Sequence, residues 1–461
     1  MSGESQQGKQ SAIYIVQSLR QHGFEAYLVG GCVRDLLLGR KPKDYDVATD
    51  ATPAQVMRIF PQTYAVGAQF GVVLVPPPDG AETADDSSKH DSLKDAIEVA
   101  TFRSDIGYTD GRHPDQVRFS QDPREDVARR DFTINGMMLD PLSGQAPGEV
   151  LDFVGGRKDL AAGIIRAIGD PALRFAEDKL RMLRAVRFAA RFEYAIDPAT
   201  FEAVKELAHQ IQVVSRERVR DELTRMLTEG HGHRALGLLD ETALLKEVLP
   251  EISAMKGVAQ PAEFHPEGDV FVHTLLLLDH LPQPCPPTLA WGALLHDVGK
   301  PPTFRVAPDR IRFDNHVDVG VKMAQAICER LRFSNDDTAQ ILSLVDNHMR
   351  FGDARRMSES TLKRFFRLPS FDQHLALHRA DCLASHRNLG SYEFVLEKRA
   401  EIPQETLRPV RLVTGDDLIA AGYQPGPHFR EILDAVEDAQ LEGRLPSRDA
   451  ALEFVRREFP A

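Results

Sequence analysis

Apolar and polar positions change period along the chain. In the first part, short apolar runs alternate with amphipathic stretches. Ile13 to Gln21 has helical spacing, Glu25 to Val29 reads as a strand, and Gly30-Gly31 breaks it. Cys32 to Leu38 then reads as a short helix and Tyr45 to Ala48 as a strand. Thr52-Pro53 predicts a helix start, with Thr as N-cap and Pro at the first helical position. Val72 to Val75 and Ile97 to Phe102 are β-rich. Between them, the Pro-, Asp-, Ser- and Gly-rich stretch Pro76 to Asp95 predicts a disordered or loosely held loop. From Pro171 the pattern is helical, with helices expected near 171–193, 198–209, 215–229 and 231–246. Met255 to Glu267, with two prolines and a glycine, predicts a linker to a third unit over about 268–400, helical and rich in His and Asp. The segment from about Pro409 carries Gly422 to Pro427 between helical stretches, and no internal repeat is visible.

The class is therefore α+β and multidomain. A length of 461 residues implies three or so domains at roughly 100–200 residues each. A hydrophobic fraction of 42% is enough for packed cores. No run of about 18 apolar residues exists, so no membrane span is expected. Met1 to Gln10 is polar and lacks the apolar core of a secretory signal, which predicts a cytoplasmic protein. Cys32, Cys285, Cys328 and Cys382 are far apart, and reduced thiols are expected. A net charge of −13 sits awkwardly with a nucleic-acid partner. The charge is uneven, however: Leu151 to Arg234 holds 15 Lys/Arg against 13 Asp/Glu, and Glu401 to Ala461 holds 7 against 12. Any RNA contact is expected from the middle of the chain.

Leu28 to Asp46 reads LVGGCVRDLLLGRKPKDYD. Glycines between a strand and a helix let backbone N–H groups approach a phosphate at a helix N-terminus. Arg34, one turn in, can clamp the same phosphates. Asp44 and Asp46 are two apart and would share one face of a strand. Two carboxylates beside a phosphate cradle suit Mg²⁺. A turn with two solvated aspartates is the plain alternative, and the order and spacing together favour the metal. Glu98, on the next β-rich run, is the candidate third carboxylate or an ordinary exposed strand residue.

Glu177 to Arg191 reads as one amphipathic helix. Asp178 and Arg181, three apart, would be neighbours on one face, with Arg184, Arg187 and Arg191 close to it. A carboxylate and a guanidinium can imitate the hydrogen-bonding edge of a base, and the other arginines can hold a triphosphate. The plain alternative is an ordinary i,i+3 ion pair worth about 0.2–0.5 kcal/mol.

These residues carry a resemblance. Gly30 to Asp46 resembles the active-site signature of the class II tRNA nucleotidyltransferase/poly(A) polymerase family, whose catalytic head is polymerase-β-like. Arg129 to Met137 (RRDFTINGM) is similar to its ribose motif, Asp105 to Pro114 (DIGYTDGRHP) to its flexible loop, and Glu177 to Arg187 (EDKLRMLRAVR) to its base-selecting helix. The match runs over about Ala26 to Leu249. It implies that Asp178 and Arg181 choose CTP or ATP without a nucleic-acid template, that Asp131 and Asn135 recognise ribose, and that Gly31, Arg34, Arg130, Arg184 and Arg187 contact the nucleotide. The flexible loop goes with addition of the terminal A and argues against a purely CC-adding enzyme, without separating CCA from A addition. One departure stands out. Gly67 to Val73 reads GAQFGVV, with Val72 where members acting on tRNA usually have Thr. Gln69-Phe70-Gly71 also lacks the basic–Phe–basic pattern of the bacterial poly(A) polymerase branch.

His273, His296-Asp297, His316, His348 and Asp381 lie in helical surroundings. Imidazoles with carboxylates suit transition metals such as Mn²⁺, Ni²⁺, Co²⁺ or Fe²⁺, and a metal-activated water can attack a phosphate ester. Buried structural histidines are the plain alternative. The segment resembles the HD-domain metal-dependent phosphohydrolases, with His273, His296, Asp297 and Asp381 as the implied ligand set. His316 and His348 match positions that hold a second metal in some members.

The expected organisation is a nucleotidyltransferase head over 1–150, a helical neck and body for nucleotide selection and RNA binding over 151–260, an all-helical HD domain over 265–400 and a helical tail over 401–461. The expected reaction is untemplated CCA or terminal-A addition to tRNA from CTP and ATP. A poly(A) polymerase, and an HD phosphohydrolase with a merely nucleotide-binding head, are the alternatives.

Overall fold

The computed structural model describes residues 4–65, 70–77, 96–107, 115–263, 265–308 and 310–460. Most of the expected 76–95 loop, residues 108–114 of the flexible loop, and Gly67 to Gln69 lie outside these. The chain forms two compact units, one of residues 1–226 and 234–248, the other of 227–233 and 249–461.

The first unit is built on a six-stranded sheet of order β3-β4-β2-β1-β7-β8. Its strands are β1 (Ala26–Val29), β2 (Asp46–Thr49), β3 (Val72–Val75), β4 (Ile97–Thr101), β7 (Met137–Asp140) and β8 (Glu149–Asp152), and a separate hairpin joins β5 (Arg103–Ile106) to β6 (Gln116–Phe119). Within this six-stranded sheet β2 and β4 run parallel and the other pairs antiparallel, with Asp46 opposite Glu98. The helix Glu4–Gln21 starts earlier than its apolar spacing predicts, and Ala12, Ile15, Val16 and Leu19 make its buried stripe. Arg20 ties its end to Asp140 at 2.8 Å. Val29, Ala48, Phe102, Val127 and Met138 form a core on the sheet. Thr52 caps the helix Pro53–Ile59 in a capping box with Gln55.

The structure departs from expectation at three places. Asp44 is not on the strand: β2 begins at Asp46, and Asp44 stands in the coil before it. The helix expected over 171–193 is two helices, Pro171–Glu177 and Leu180–Phe192. Asp178 between them is extended, at φ −142° and ψ 106°, and its carboxylate accepts the Leu180 N–H at 3.1 Å to start the second helix. A short aspartate offers the backbone a partner outside the helix, and here that local bond wins over helical continuity. Further on, Ala243, with φ 63°, ends the helix expected over 231–246 early.

The second unit is helical apart from the hairpin Arg305–Val306 with Ile311–Arg312. Val270–Asp279, Pro287–Leu295, His316–Arg330, Asn335–Asn347 and Phe371–Ala384 pack as a bundle, in which Trp291 is fully buried. Apolar cores around Phe351, Phe365 and Phe371, and around Leu418, Ile432 and Val455, follow. All four cysteines are free and buried. No helix among the described residues is long and apolar enough to cross a membrane.

In the second unit one glycine sets a helix approach. A Cβ on Gly299 would stand 2.1 Å from the His316 carbonyl oxygen and 2.6 Å from the Gly320 nitrogen. Both obstacles are backbone, so relief requires a helix to move. Gly299→Ala is expected to lose about 1–3 kcal/mol of stability, read as a lowered midpoint in urea unfolding; an unchanged midpoint would mean that the contact is soft.

Candidate active site and histidine centre

A strand, a glycine turn and a helix create the first site. Gly30 has φ 73° and ψ −136°, open to glycine but strained for other residues, and it leads directly into the helix Gly31–Leu37. A Cβ at Gly30 would lie 3.2 Å from an Arg130 nitrogen and 3.8 Å from an Asp46 carboxylate oxygen. The turn therefore puts backbone, acid and guanidinium side by side. They open into a cavity of about 560 Å³ also lined by Gly31, Arg34, Asp44, Asp131, Asn135, Asp178, Arg181, Arg184 and Arg187.

Asp44 reaches this cavity from coil and Asp46 from the first residue of β2. Glu98 does not line it, but the parallel register sets it beside Asp46 on the neighbouring strand. Burial, then Glu98 and Asp44, push the Asp46 carboxyl up to about 6, with Arg130 acting against them. A group so placed favours the arrival of positive charge.

The cations are tethered, each by an acid. Asp126, fully buried, receives Arg129 at 2.6 Å and Arg130 at 2.9 Å. Burial alone would raise its carboxyl, and the two guanidiniums outweigh that and hold it low. Arg34 bonds Asp35 and donates to the Asn135 side-chain oxygen at 2.6 Å, with its guanidinium 4.6 Å from the Phe192 ring centre. Asn135 in turn donates to Asp131 at 3.1 Å. Arg184 grips Asp131 at 2.6 Å, and Arg187 pairs with buried Glu222 at 2.6 Å. Arg34, Asn135, Asp131 and Arg184 thus form one network.

Asp178 and Arg181 both line the cavity but do not pair with each other. The helix break turns Asp178 toward Arg218, at 2.7 Å, while Arg181 bonds Glu177 and donates to the Arg129 carbonyl at 3.0 Å. Asp126, Glu177, Arg218 and Glu222 were not singled out by the sequence reading as members of this site. The basic run Arg216 to Arg220 was the one available signal for Arg218.

In the second unit, the histidines and aspartates meet. The ligand atoms of His273, His296 and Asp381 lie within 4.8 Å of one another, as do those of Asp297, His316 and His348. Asp297 approaches His296 Nε2 at 3.1 Å and the Nε2 atoms of His316 and His348 at 3.8 Å. These three buried Nε2 atoms have no hydrogen-bond partner among the described residues. Orphaned imidazole nitrogens around a carboxylate fit a bound cation. Burial and His296 lower the His348 imidazole to about 4, which leaves it neutral and able to ligate at neutral pH. His273 goes the other way: burial would lower it, but Asp381 and Glu267 raise it to about 9. The expected linker is part of this centre, because Glu267 lies 2.7 Å from His273 and 2.9 Å from His265.

Two outcomes follow for the first unit. Asp126→Ala strands two guanidiniums and is expected to cost about 3–5 kcal/mol, read by urea unfolding. Burial would raise Asp131, but Arg184, Asn135 and the Phe132 N–H bring its carboxyl down to about 2. A carboxyl depressed in the fold stabilises it above its ordinary value near 4 and loses that contribution as pH falls through about 2. Acid unfolding of Asp131→Asn should therefore show a flatter pH slope than wild type across that window, and equal slopes would count against the pairing.

Comparison with known proteins finds relatives over nearly the whole chain. A family model described as the poly A polymerase head domain matches residues 26–166. One described as a probable RNA and SrmB-binding site of polymerase A matches 193–256, and an HD domain matches 270–383. The CCA-adding enzyme of Lactococcus lactis subsp. lactis is 40% identical over 443 residues, covering 95% of this chain and 94% of that one. The CCA-adding enzyme of Geobacillus sp. is 32% identical over 441 residues, covering 95% and 93%. A solved structure of the Bacillus stearothermophilus CCA-adding enzyme in complex with CTP has 28% identity and a TM-score of 0.72, with 98% of each chain covered. A likeness kept over nearly the full length of such relatives places this chain in the family of CCA-adding enzymes.

Proposed function

We propose that this protein extends the 3′ end of tRNA, adding CCA or its terminal A from CTP and ATP without a nucleic-acid template. The observation that carries the reading is the cavity in which Asp44 and Asp46 face the Gly30-Gly31 turn beside Arg130. The tRNA 3′-hydroxyl attacks the α-phosphorus of the nucleotide, a P–O bond forms, and pyrophosphate leaves. Asp44 and Asp46 would hold Mg²⁺, with Glu98 as the further carboxylate beside them. When bound, Mg²⁺ supplies charge neutralisation for the triphosphate and acidifies the attacking hydroxyl. The N–H groups at the Gly31 helix start, Arg34, Arg130, Arg184 and Arg187 receive the triphosphate. Asp131 and Asn135 orient the ribose, and Asp178 and Arg181 read the base edge. Positioning and charge stabilisation do most of the work.

The roles divide along the chain as head (1–150), neck and body (151–260), HD domain (265–400) and tail (401–461). The matched family segments support that division. Cytoplasmic tRNA and nucleotide pools are the setting this chemistry needs.

The orphaned imidazole nitrogens favour a second activity in the same chain. His273, His296, Asp297 and Asp381 would hold a divalent transition metal such as Mn²⁺, Ni²⁺, Co²⁺ or Fe²⁺, with His316 and His348 adjoining. Bound there, the metal supplies an activated water for hydrolysis of phosphomonoesters or 2′,3′-cyclic phosphates. A neighbouring cavity of about 410 Å³ presents Lys300, Arg310 and Arg312 to an anionic substrate.

Incubation of a tRNA lacking its end with labelled CTP and ATP tests the main reading. A defined CCA or A end is expected, and a long A tail would make the protein a poly(A) polymerase instead. Asp44→Ala and Asp46→Ala are each expected to cut incorporation at least about a hundredfold with the fold intact; robust turnover in either removes that residue from the mechanism. His296→Ala should lose phosphoester hydrolysis while still incorporating nucleotide, and hydrolysis at the wild-type rate would refute the second activity.

A further inference from the structure

The four histidines of the second centre are anchored in two ways. His296, His316 and His348 each turn Nδ1 to the backbone carbonyl three residues earlier: Ala293 at 2.8 Å, Phe313 at 2.9 Å and Val345 at 2.6 Å. These acceptors are neutral and local. His273, completely buried, instead turns Nδ1 to the Glu267 carboxylate at 2.7 Å and Nε2 to Asp381 at 3.1 Å. The same Glu267 oxygen accepts from His265 Nδ1 at 2.9 Å, and the Glu267 side chain is only 5% exposed.

We propose that Glu267 is a positioning residue for the histidine centre, fixing the His273 ring from its Nδ1 side so that Nε2 faces Asp381, where a divalent cation would displace the Nε2 proton. The proposal rests on the reading of this cluster as a metal centre. A carboxylate behind an imidazole does two things that a carbonyl does only weakly: it fixes the ring orientation and tautomer, and its charge makes the far nitrogen a better donor. His273 becomes the strongest imidazole donor of the set. His265 Nδ1 holds the same carboxylate oxygen and keeps it from swinging away.

The position of Glu267 does not depend on His273. The loop that carries it is closed by its own backbone bonds, Gln260 N–H to the Gly268 carbonyl at 2.9 Å and Val270 N–H to the Val258 carbonyl at 3.0 Å. The Asp269 carboxylate also accepts the Gly257 N–H at 2.6 Å. Neutralising Glu267 therefore leaves the loop its shape. This separates a positioning role from a merely structural one.

The test is a Co²⁺ titration of the full chain, followed by visible ligand-field absorption, with the signal absent from His296→Ala taken as the centre's own. Glu267→Gln is expected to weaken that binding about 10–100-fold, with the unfolding midpoint of the metal-free protein unchanged. Glu267→Asp, which keeps the charge, should recover part of the loss, and His265→Gln should lose less than Glu267→Gln. Equal Co²⁺ affinity in wild type and Glu267→Gln overturns the proposal, as does a loss that tracks a lowered metal-free midpoint. A wild-type chain with no His296-dependent Co²⁺ signal overturns the metal reading itself and the role of Glu267 with it.

Discussion

A charge moved out of water is costly unless an opposite charge or a set of hydrogen bonds meets it, and that constraint organises both units of this protein. In the first, the cavity at the Gly30-Gly31 turn keeps acids and guanidiniums within a few ångströms of each other. Left alone, the two sets would collapse together. The structure prevents this by giving the cations separate partners behind the cavity wall: Asp126 for Arg129 and Arg130, Asp35 for Arg34, Glu222 for Arg187. Asp44, Asp46 and Glu98 then remain available, and their mutual repulsion with burial keeps Asp46 high. A metal bound there as proposed would relieve that tension.

The second unit solves the same problem with imidazoles. Burial holds His348 neutral, while completely buried His273 is met by the carboxylates of Glu267 and Asp381, so the histidines can converge around Asp297 and Asp381 without unfolding the bundle. Their Nδ1 atoms are anchored outward, and the Nε2 atoms face inward. Gly299 belongs to this design as well, since the close approach it permits brings the His316 helix against the His296-Asp297 turn.

Asp178 and Arg181 are where local and tertiary physics part. Spacing alone makes Asp178 and Arg181 helix neighbours. The fold makes Asp178 the start of a new helix and draws it to Arg218, forty positions away. Both side chains are held by neighbouring residues, Asp178 by Arg218 and Arg181 by Glu177 and the Arg129 carbonyl. Under the proposed role in nucleotide choice, a base would compete with these bonds, which would tie that choice to residues outside the motif.

Much was legible in the residues because short-range signals carried it. The Gly30-Gly31 break, the Thr52-Pro53 start, the strands at Val72 and Ile97, and the order of acids, arginines and histidines all depend on spacing and local propensity, which a sequence displays directly. What tertiary structure alone decided was pairing across distance. Nothing local states that Asp46 lies opposite Glu98, that Arg34 bonds Asn135, or that Arg187 finds Glu222. Nor does a Pro- and Gly-containing stretch reveal that Glu267 backs His273. Those contacts arise only when the chain closes on itself, because burial makes each charge seek whichever partner the packing brings near.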